Sequence, residues 1–224
     1  MNSLLSIINS SVGRKLVMAL SGLFLCAFLV EHLYGNLLLY ANDNGAAFVE
    51  YSHTMVHSLL IRIVEIILFA AIIVHVVQAI NLTFQNKKAR PVRYAVNKAA
   101  DNSTWFSRNM GLTGSLILFF LVVHIKTFFV SYRITGLPEG QNVSMIVKEA
   151  FEQGWYSALY VVSVVFLGFH LNHGFQSAFQ TLGLNNKKYA PLLKALGTGF
   201  ALLITLGFAS FPILFYFGVA GQNF

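Results

Sequence analysis

The run LVMALSGLFLCAFLVEHLYGNLLLY, from Leu16 to Tyr40, decides the fold of this chain. It contains no Asp, Lys or Arg, one acidic residue, Glu31, and one histidine, His32. An α-helix rises about 1.5 Å per residue, so about 20 apolar residues cross the hydrocarbon core of a bilayer. The run is therefore predicted to be a transmembrane helix.

Four further stretches are as long and as apolar. Together with the first they define spans I to V, which are Leu16–Tyr40, Leu59–Thr83, Met110–Tyr132, Tyr156–Gln180 and Ala195–Val219. Only 10% of the residues are charged and 56% are hydrophobic, whereas a soluble domain is about one quarter charged. We therefore predict an all-α, polytopic membrane protein with a single transmembrane domain over residues 1–224. Pro212 predicts a kink in span V.

The basic residues predict the orientation in the membrane. Eleven of the 15 Lys and Arg residues lie on one side of the predicted spans: Arg14, Lys15, Lys87, Lys88, Arg90, Arg93, Lys98, Arg108, Lys187, Lys188 and Lys194. The I–II loop, residues 41–58, has none. The positive-inside rule places the N-terminus in the cytoplasm and the C-terminus outside. The same charges explain the net charge of +7, so it does not indicate a nucleic-acid partner. Trp155 and Tyr156 suit the outer membrane interface.

Several kinds of site are excluded within this chain. Cys26 is its only cysteine, so it forms no disulfide, no four-thiolate iron–sulfur cluster and no Cys-x-x-Cys-His haem attachment. The sequence has no G-x-G-x-x-G motif and no phosphate-binding loop. No connection between spans exceeds about 30 residues, which leaves no room for a soluble flavin or substrate domain.

The histidines are the residues that carry chemistry. There are seven, His32, His53, His57, His75, His124, His170 and His173. Five of them lie inside spans I to IV, and span V has none. An ionisable side chain inside a bilayer is expensive and usually functional. A single intramembrane histidine could equally serve helix packing, but one on each of four helices favours a shared role.

Depth sorts four of these histidines into two tiers. Counted from the cytoplasmic end of each span, His32 lies about 24 Å deep and His124 about 21 Å, whereas His75 lies about 12 Å and His170 about 15 Å. Two imidazoles at equal depth on different helices are the ligands that a b-type haem requires. A proton relay would need no such pairing. His173, about 10 Å deep, remains a second candidate for the inner tier.

These residues resemble a known family over essentially the whole chain. The segments that carry the likeness are Glu31-His-Leu-Tyr-Gly-Asn36, His75, Val123-His-Ile125 and Phe169-His-Leu-Asn-His-Gly-Phe175. Their order and spacing are similar to the diheme cytochrome b membrane anchor of succinate dehydrogenase and quinol–fumarate reductase, in its five-helix, single-subunit form.

The resemblance implies the ligands and the partners. His32 and His124 would bind the distal haem b, and His75 and His170 the proximal one, with His170 preferred over His173. A flavoprotein and an iron–sulfur protein would bind the cytoplasmic face of a bacterial inner membrane, and the dicarboxylate chemistry would lie on the flavoprotein. The substrate of this chain would be a quinone, menaquinone by analogy. Some relatives have Glu two residues before the fourth ligand; here that residue is Gly168, which puts such a proton route in doubt.

Other assignments stay open. His173 and Lys126 are candidate partners of the haem propionates, although Lys126 could equally be an interfacial anchor. Glu50, His53 and His57 in the I–II segment could bind a quinone and exchange its protons, or could belong to a solvated loop. Arg62 and Glu65 are predicted to form an ion pair, with a proton path as the alternative.

Three other functions fit parts of the pattern. A transporter or proton channel would use the histidines as a relay and would have no pigment. A passive anchor would fix its partners to the membrane without transferring electrons. A quinone-reactive cytochrome b of another respiratory complex would share the haems and differ in its partner subunits.

Overall fold

The computed structural model describes residues 10–88, 105–184 and 186–222. Within these ranges the regular structure is helical, and no strand occurs. Five of the described helices are long and apolar enough to cross a membrane, and they are Ser11–Tyr40, Leu59–Lys88, Met110–Thr135, Gly154–Thr181 and Ala190–Tyr216. The prediction of an all-α, multi-pass membrane protein is confirmed.

The helices are numbered in chain order. They are α1 (Ser11–Leu37), α2 (Ala46–His57), α3 (Leu59–Lys88), α4 (Trp105–Arg108), α5 (Met110–His124), α6 (Val143–Glu152), α7 (Gly154–Thr181) and α8 (Ala190–Tyr216). Span I is α1 followed by a short 3₁₀ turn, Leu38–Tyr40. Span III is α5 followed by a π-helix, Ile125–Thr135.

The helix ends differ from the predicted ones. The first span begins at Ser11 and the second continues to Lys88, because a helix can extend past the apolar run on which the prediction rested. The last span ends at Tyr216, three residues before the predicted Val219. Gly218 has a φ of +66°, and the Val219 N–H donates to the Leu214 carbonyl oxygen at 2.8 Å. A left-handed glycine of this kind closes a helix.

Two segments that the sequence analysis treated as loops contain helices. In the I–II segment, the Asp43 Oδ2 accepts a hydrogen bond from the Ala47 N–H at 2.8 Å and supports the start of α2. In the III–IV segment, the Asn142 side chain accepts from the backbone N–H groups of Ser144 and Met145 and caps α6. A polar side chain at this position satisfies N–H groups that have no partner within the helix.

Packing divides the chain into two compact units. The described residues of the His75 unit are 10–27, 67–88, 105–114, 169–184 and 186–201. Helix α3, which contributes to it, has no buried residue, although its apolar side chains span the length of a bilayer. In a membrane such a surface contacts lipid chains, and its exposure has no hydrophobic cost.

The His32 unit comprises Phe28–Ile66, Ser115–Gly168 and Leu202–Phe224. Its core is aromatic, and its buried aromatic side chains are Phe48, Phe151, Tyr156, Tyr160, Phe211 and Phe215. Pro212 lies inside α8 and is buried; the kink remains a prediction. Gly207 of α8 meets Leu33 of α1 closely, since a Cβ at Gly207 would lie 2.8 Å from the Leu33 Cδ2.

The Gly207 contact gives a stability prediction. Gly207→Ala should lower the free energy of unfolding by about 1–3 kcal/mol, because the added methyl group displaces the buried Leu33 side chain. The control is Gly199→Ala on the same helix, where a Cβ meets nothing within 4 Å. That variant should be neutral or stabilising by up to about 1 kcal/mol. Unfolding in mixed micelles measures both; equal effects would contradict the packing argument.

Candidate functional site

Two pairs of histidines define the candidate site. In the His32 unit, the rings of His32 and His124 have centroids 5.8 Å apart and planes at 87°. Phe28 stacks on His32 at 5.2 Å, and Phe208 of α8 lies 5.6 Å from it. Phe120 lies 5.6 Å from His124 on the same helix. The pair therefore sits among aromatic rings contributed by several helices.

A buried tyrosine fixes one ring of this pair. The Tyr160 hydroxyl lies 3.0 Å from the His124 Nδ1 and 3.2 Å from the Tyr156 hydroxyl. Both tyrosines are 5% exposed. Because this hydrogen bond uses Nδ1, the other ring nitrogen of His124, Nε2, is left for a ligand. Metal-binding histidines are typically oriented by such a bond from their second nitrogen. Trp155 and Tyr156 were both predicted to suit the outer membrane interface; Trp155 is 67% exposed, whereas Tyr156 is buried.

In the His75 unit, the rings of His75 and His170 have centroids 6.2 Å apart and planes at 67°. The Ser21 hydroxyl donates to the Met18 carbonyl oxygen at 3.1 Å. Its oxygen therefore accepts from the His75 Nδ1–H, at 3.2 Å. In a neutral His75 that donates from Nδ1, the Nε2 carries the free electron pair, which is the form that binds a metal.

Two glycines bring backbone close to this second pair. A Cβ at Gly22 of α1 would lie 3.4 Å from the His75 Cε1, and a Cβ at Gly114 of α5 would lie 3.8 Å from the His170 Cε1. The missing side chains let the backbone of each helix approach an imidazole to about van der Waals distance.

Two polar atoms of the His75 unit also lack protein partners. The His170 Nδ1 and the Gln78 Oε1 are buried, and the described residues offer them no hydrogen bond. Buried polar atoms in native proteins are nearly always satisfied, so each exception needs an explanation. A bound group with polar substituents would supply the missing partners.

The pairs fit a haem better than a bare metal ion. Since a metal–imidazole bond is about 2 Å long, two imidazoles on opposite sides of one metal have centroids about 6 Å apart. Both pairs meet that spacing. A zinc ion needs three or four protein ligands, but among the residues described no group of three or more His, Cys, Asp or Glu could hold a metal. A porphyrin needs only two ligands from the protein, and each pair offers two.

The candidate propionate partners lie apart from these contacts. His173 lies on α7, one turn after His170, and is partly exposed. The ring that lies next to His75 is that of His170. Lys126 is exposed on the π-helix. Its backbone carbonyl accepts a hydrogen bond from the Ser131 hydroxyl at 3.4 Å. Both assignments remain predictions.

The candidate quinone residues lie together on α2. Glu50, His53 and His57 are all exposed, and their spacing of three and four residues puts them on one helix face. The rings of the two histidines stack at 4.0 Å, and the His57 Nδ1–H donates to the His53 carbonyl oxygen at 2.8 Å. The helix, rather than the loop that was predicted, fixes their spacing.

Tyr51 fastens the same helix to α1. Its hydroxyl donates to the Glu31 carboxylate, beside the ligand candidate His32. A Cβ at Gly35 would lie 2.5 Å from the Tyr51 Cε1, so only glycine admits the tyrosine ring there. Burial and, after it, the Glu31 carboxylate raise the pKa of Tyr51. The phenol therefore stays protonated and remains a donor.

The predicted ion pair between Arg62 and Glu65 is confirmed, at 3.7 Å. Glu65 has a second partner that the sequence analysis did not identify, because the Arg133 Nε also lies 3.7 Å from this carboxylate. Arg133 was assigned to the III–IV loop; it lies instead in the π-helix that continues α5.

The residues that orient the imidazoles, Ser21 and Tyr160, were not predicted from the sequence. The sequence did contain a pattern that could have identified Ser21: this residue precedes His32 by 11 residues, which is about three helical turns. The serine therefore shares a face of α1 with a ligand candidate. Tyr160 precedes His170 on α7 by ten residues, and helix periodicity alone does not select it among neighbouring aromatic residues.

Comparison of the chain with protein-family models, with curated proteins and with solved structures finds no match.

The Tyr160 hydrogen bond yields a prediction that separates orientation from packing. Tyr160→Phe removes the partner of the His124 Nδ1 and keeps the ring, so haem affinity at this pair should fall about 10–100-fold. Tyr156→Phe keeps the bond to His124 and should change affinity little. Haem titration of each purified variant, followed by absorption, measures the effect. Equal affinities in Tyr160→Phe and the unsubstituted protein would contradict it.

Proposed function

We propose that this chain is the membrane anchor and electron-transfer subunit of a succinate:quinone oxidoreductase and that it binds two b haems. The observation that supports this most directly is the pair of matched spacings, 5.8 Å for His32 and His124 and 6.2 Å for His75 and His170. Each pair joins two different helices, and nothing else in the described chain accounts for four intramembrane imidazoles meeting two by two.

The role of the protein in this function is to hold and orient. His32 and His124 would hold one haem, and His75 and His170 the other. In His124 and His75 the ligand atom would be Nε2, because the hydrogen bonds with Tyr160 and Ser21 use Nδ1. Fixing the tautomer before binding removes a reorganisation that would otherwise oppose it. When bound, each haem supplies a one-electron carrier whose potential is set by its axial ligands and surroundings.

The aromatic side chains around the first pair exclude water from the ligand atoms. Phe28 and Phe208 cover His32, and Phe120 covers the flank of His124. An apolar shell lowers the local dielectric constant and disfavours the form of a bound metal with more positive charge. The chain would in this way contribute to the reduction potential without reacting itself, and no residue of it is assigned a catalytic role.

The partners would be an iron–sulfur protein and a flavoprotein that interconverts succinate and fumarate, in either direction. They would bind on the cytoplasmic side of a bacterial inner membrane, where the N-terminus and most basic residues are expected. Lys87 and Lys88, at the end of α3, are exposed and suit such a surface. Arg90, Arg93 and Lys98 lie outside the described residues.

The quinone, menaquinone by analogy, would bind near α2. Its reduction takes up two protons, and the exposed face formed by Glu50, His53 and His57 offers one carboxylate and two imidazoles as candidate proton donors. Tyr51 and Glu31 connect this helix with the residue next to His32. Proton exchange and the His32 pair would therefore be neighbours at the same end of α1.

The ligand assignment makes the first prediction of this function. The purified complex should contain two b haems per chain in a pyridine haemochrome assay. His32→Ala or His124→Ala should remove one haem, and His75→Ala or His170→Ala the other, because each haem loses an axial ligand. A protein without haem would favour the histidine relay, and full electron transfer to quinone in all four variants would favour a passive anchor.

His173→Ala is the matched control, since it removes an imidazole from the same helix one turn away. We expect it to keep both haems. If His173→Ala loses the haem and His170→Ala keeps it, the assignment within the His75 unit is wrong. Mass spectrometry of the co-purified subunits separates a succinate:quinone oxidoreductase from another respiratory complex.

The quinone assignment makes the second prediction. Glu50→Gln and His53→Ala, combined, should lower kcat for quinone reduction by about 10²–10⁴-fold while both haems are retained, because two of the three candidate proton donors are lost. Glu152→Gln, an exposed substitution at the end of α6, serves as the control. Unchanged quinone reduction in the double variant would move the site away from this helix.

A further inference from the structure

Arg133 is a largely buried cation with too few partners. Its side chain is 15% exposed, and its buried Nε and Nη2 atoms donate no hydrogen bond to any described residue. A guanidinium has five N–H donors, and it cannot lose its charge. Leaving such donors unsatisfied in a buried position costs more than for a neutral group. Arg133 therefore needs an acceptor that the described protein does not provide.

The neighbouring carboxylate does not supply it. Glu65 lies 3.7 Å from the Arg133 Nε, which is an ion-pair contact and too long for a hydrogen bond. The same carboxylate is shared with Arg62, also at 3.7 Å. Two guanidinium groups thus face one carboxylate, and the group of three side chains carries a net positive charge. A second anion would balance it.

The π-helix determines where this cation lies. Arg133 follows His124 by nine residues. In an α-helix nine residues are two and a half turns, so the two side chains would lie on opposite faces. A helix with i to i+5 bonding winds more than four residues per turn, and nine residues then make about two turns. The π-helix Ile125–Thr135 thereby brings Arg133 round to the face of His124.

A ring contact agrees with this placement. Phe128, on the same π-helix, lies 5.4 Å from the His124 ring and 6.3 Å from Tyr160. The inward face of the π-helix is therefore the one that follows His124. Helical side chains also lean towards the N-terminal end of their helix, which directs the Arg133 side chain back towards the histidine.

We propose that Arg133 binds a propionate of the haem held by His32 and His124. This inference rests on the proposed function and adds a residue to it, in place of the exposed Lys126. A carboxylate matches the fork of a guanidinium and accepts two N–H bonds at once. The cation would also raise the reduction potential of that haem, because a nearby positive charge favours the reduced form.

The test uses the intact complex and measures the reduction potentials of its two haems by spectroelectrochemical titration. At a fixed ambient potential, Arg133→Gln should lower the ratio of reduced to oxidised haem at the His32 pair about tenfold, which is about 59 mV for a one-electron couple. The haem at the His75 pair should keep its potential. Arg133→Lys retains the charge and should restore most of the shift.

Two further variants control for charge and for folding. Arg62→Gln makes the same change of charge on the other partner of Glu65, at a side chain that is 49% exposed, and should shift the ratio less than threefold. Glu65→Gln removes a competing anion and should raise the potential of the same haem. This opposite shift keeps the proposal testable even if Arg133→Gln does not fold.

Other outcomes overturn the proposal. If Arg133→Gln leaves both potentials unchanged and loses bound phospholipid, measured as phosphorus per chain, the anion is a lipid phosphate. If Arg62→Gln and Arg133→Gln give equal shifts, the effect is a general surface charge. A preparation that lacks the His32-pair haem even before substitution refutes the proposed function itself, and the two failures are distinguishable in the first spectrum.

Discussion

In each pair, one imidazole is hydrogen-bonded through its Nδ1 to a side chain of a neighbouring helix. The rest of the candidate site depends on this constraint. Inside a bilayer a histidine has no water to satisfy its ring nitrogens, so each nitrogen must be matched by a side chain or a ligand. The Ser21 oxygen takes the Nδ1–H of His75, and the Tyr160 hydroxyl lies against the Nδ1 of His124. What remains unmatched is the nitrogen on the other side of the ring, and that is the atom a metal would bind.

The long helices serve both pairs. Helix α1 provides His32 for one pair and Ser21 with Gly22 for the other, and α7 provides His170 for one and Tyr160 for the other. On α1, Ser21 and His32 lie 11 residues apart, which is about three turns and puts both on one face of that helix. On α7, Tyr160 and His170 lie ten residues apart and point in different directions. In span III the winding changes only after His124, beyond the last ligand candidate.

Hydropathy was sufficient to predict five spans, because the bilayer imposes their length. Counting residues along the spans predicted that His32 would lie near His124 and His75 near His170, and the rings of each pair are neighbours. The surrounding residues depend on features that periodicity does not encode. Helix α2 has a mixed composition and begins after a left-handed glycine, Gly45, without a side-chain N-cap, so it was taken for a loop. Arg133 could not be placed because an α-helical count puts it on the wrong face. Tyr156 and Tyr160 are aromatic residues among many, and only their contacts distinguish them.

Helix α2 links the chemistry of the pairs with the surface. Tyr51 can lie against α1 only because position 35 is glycine, and its hydroxyl then reaches Glu31. The carboxylate is adjacent in sequence to His32, whereas the exposed Glu50, His53 and His57 lie on the same helix as the tyrosine. A movement of α2 would therefore disturb a hydrogen bond next to a ligand candidate. In the proposed electron carrier, which would also deliver protons to a quinone, such a connection would keep the carboxylate and imidazole side chains of α2 at a fixed distance from the haem proposed for the His32 pair. A free loop could not, because its conformational entropy would spread those side chains over many positions.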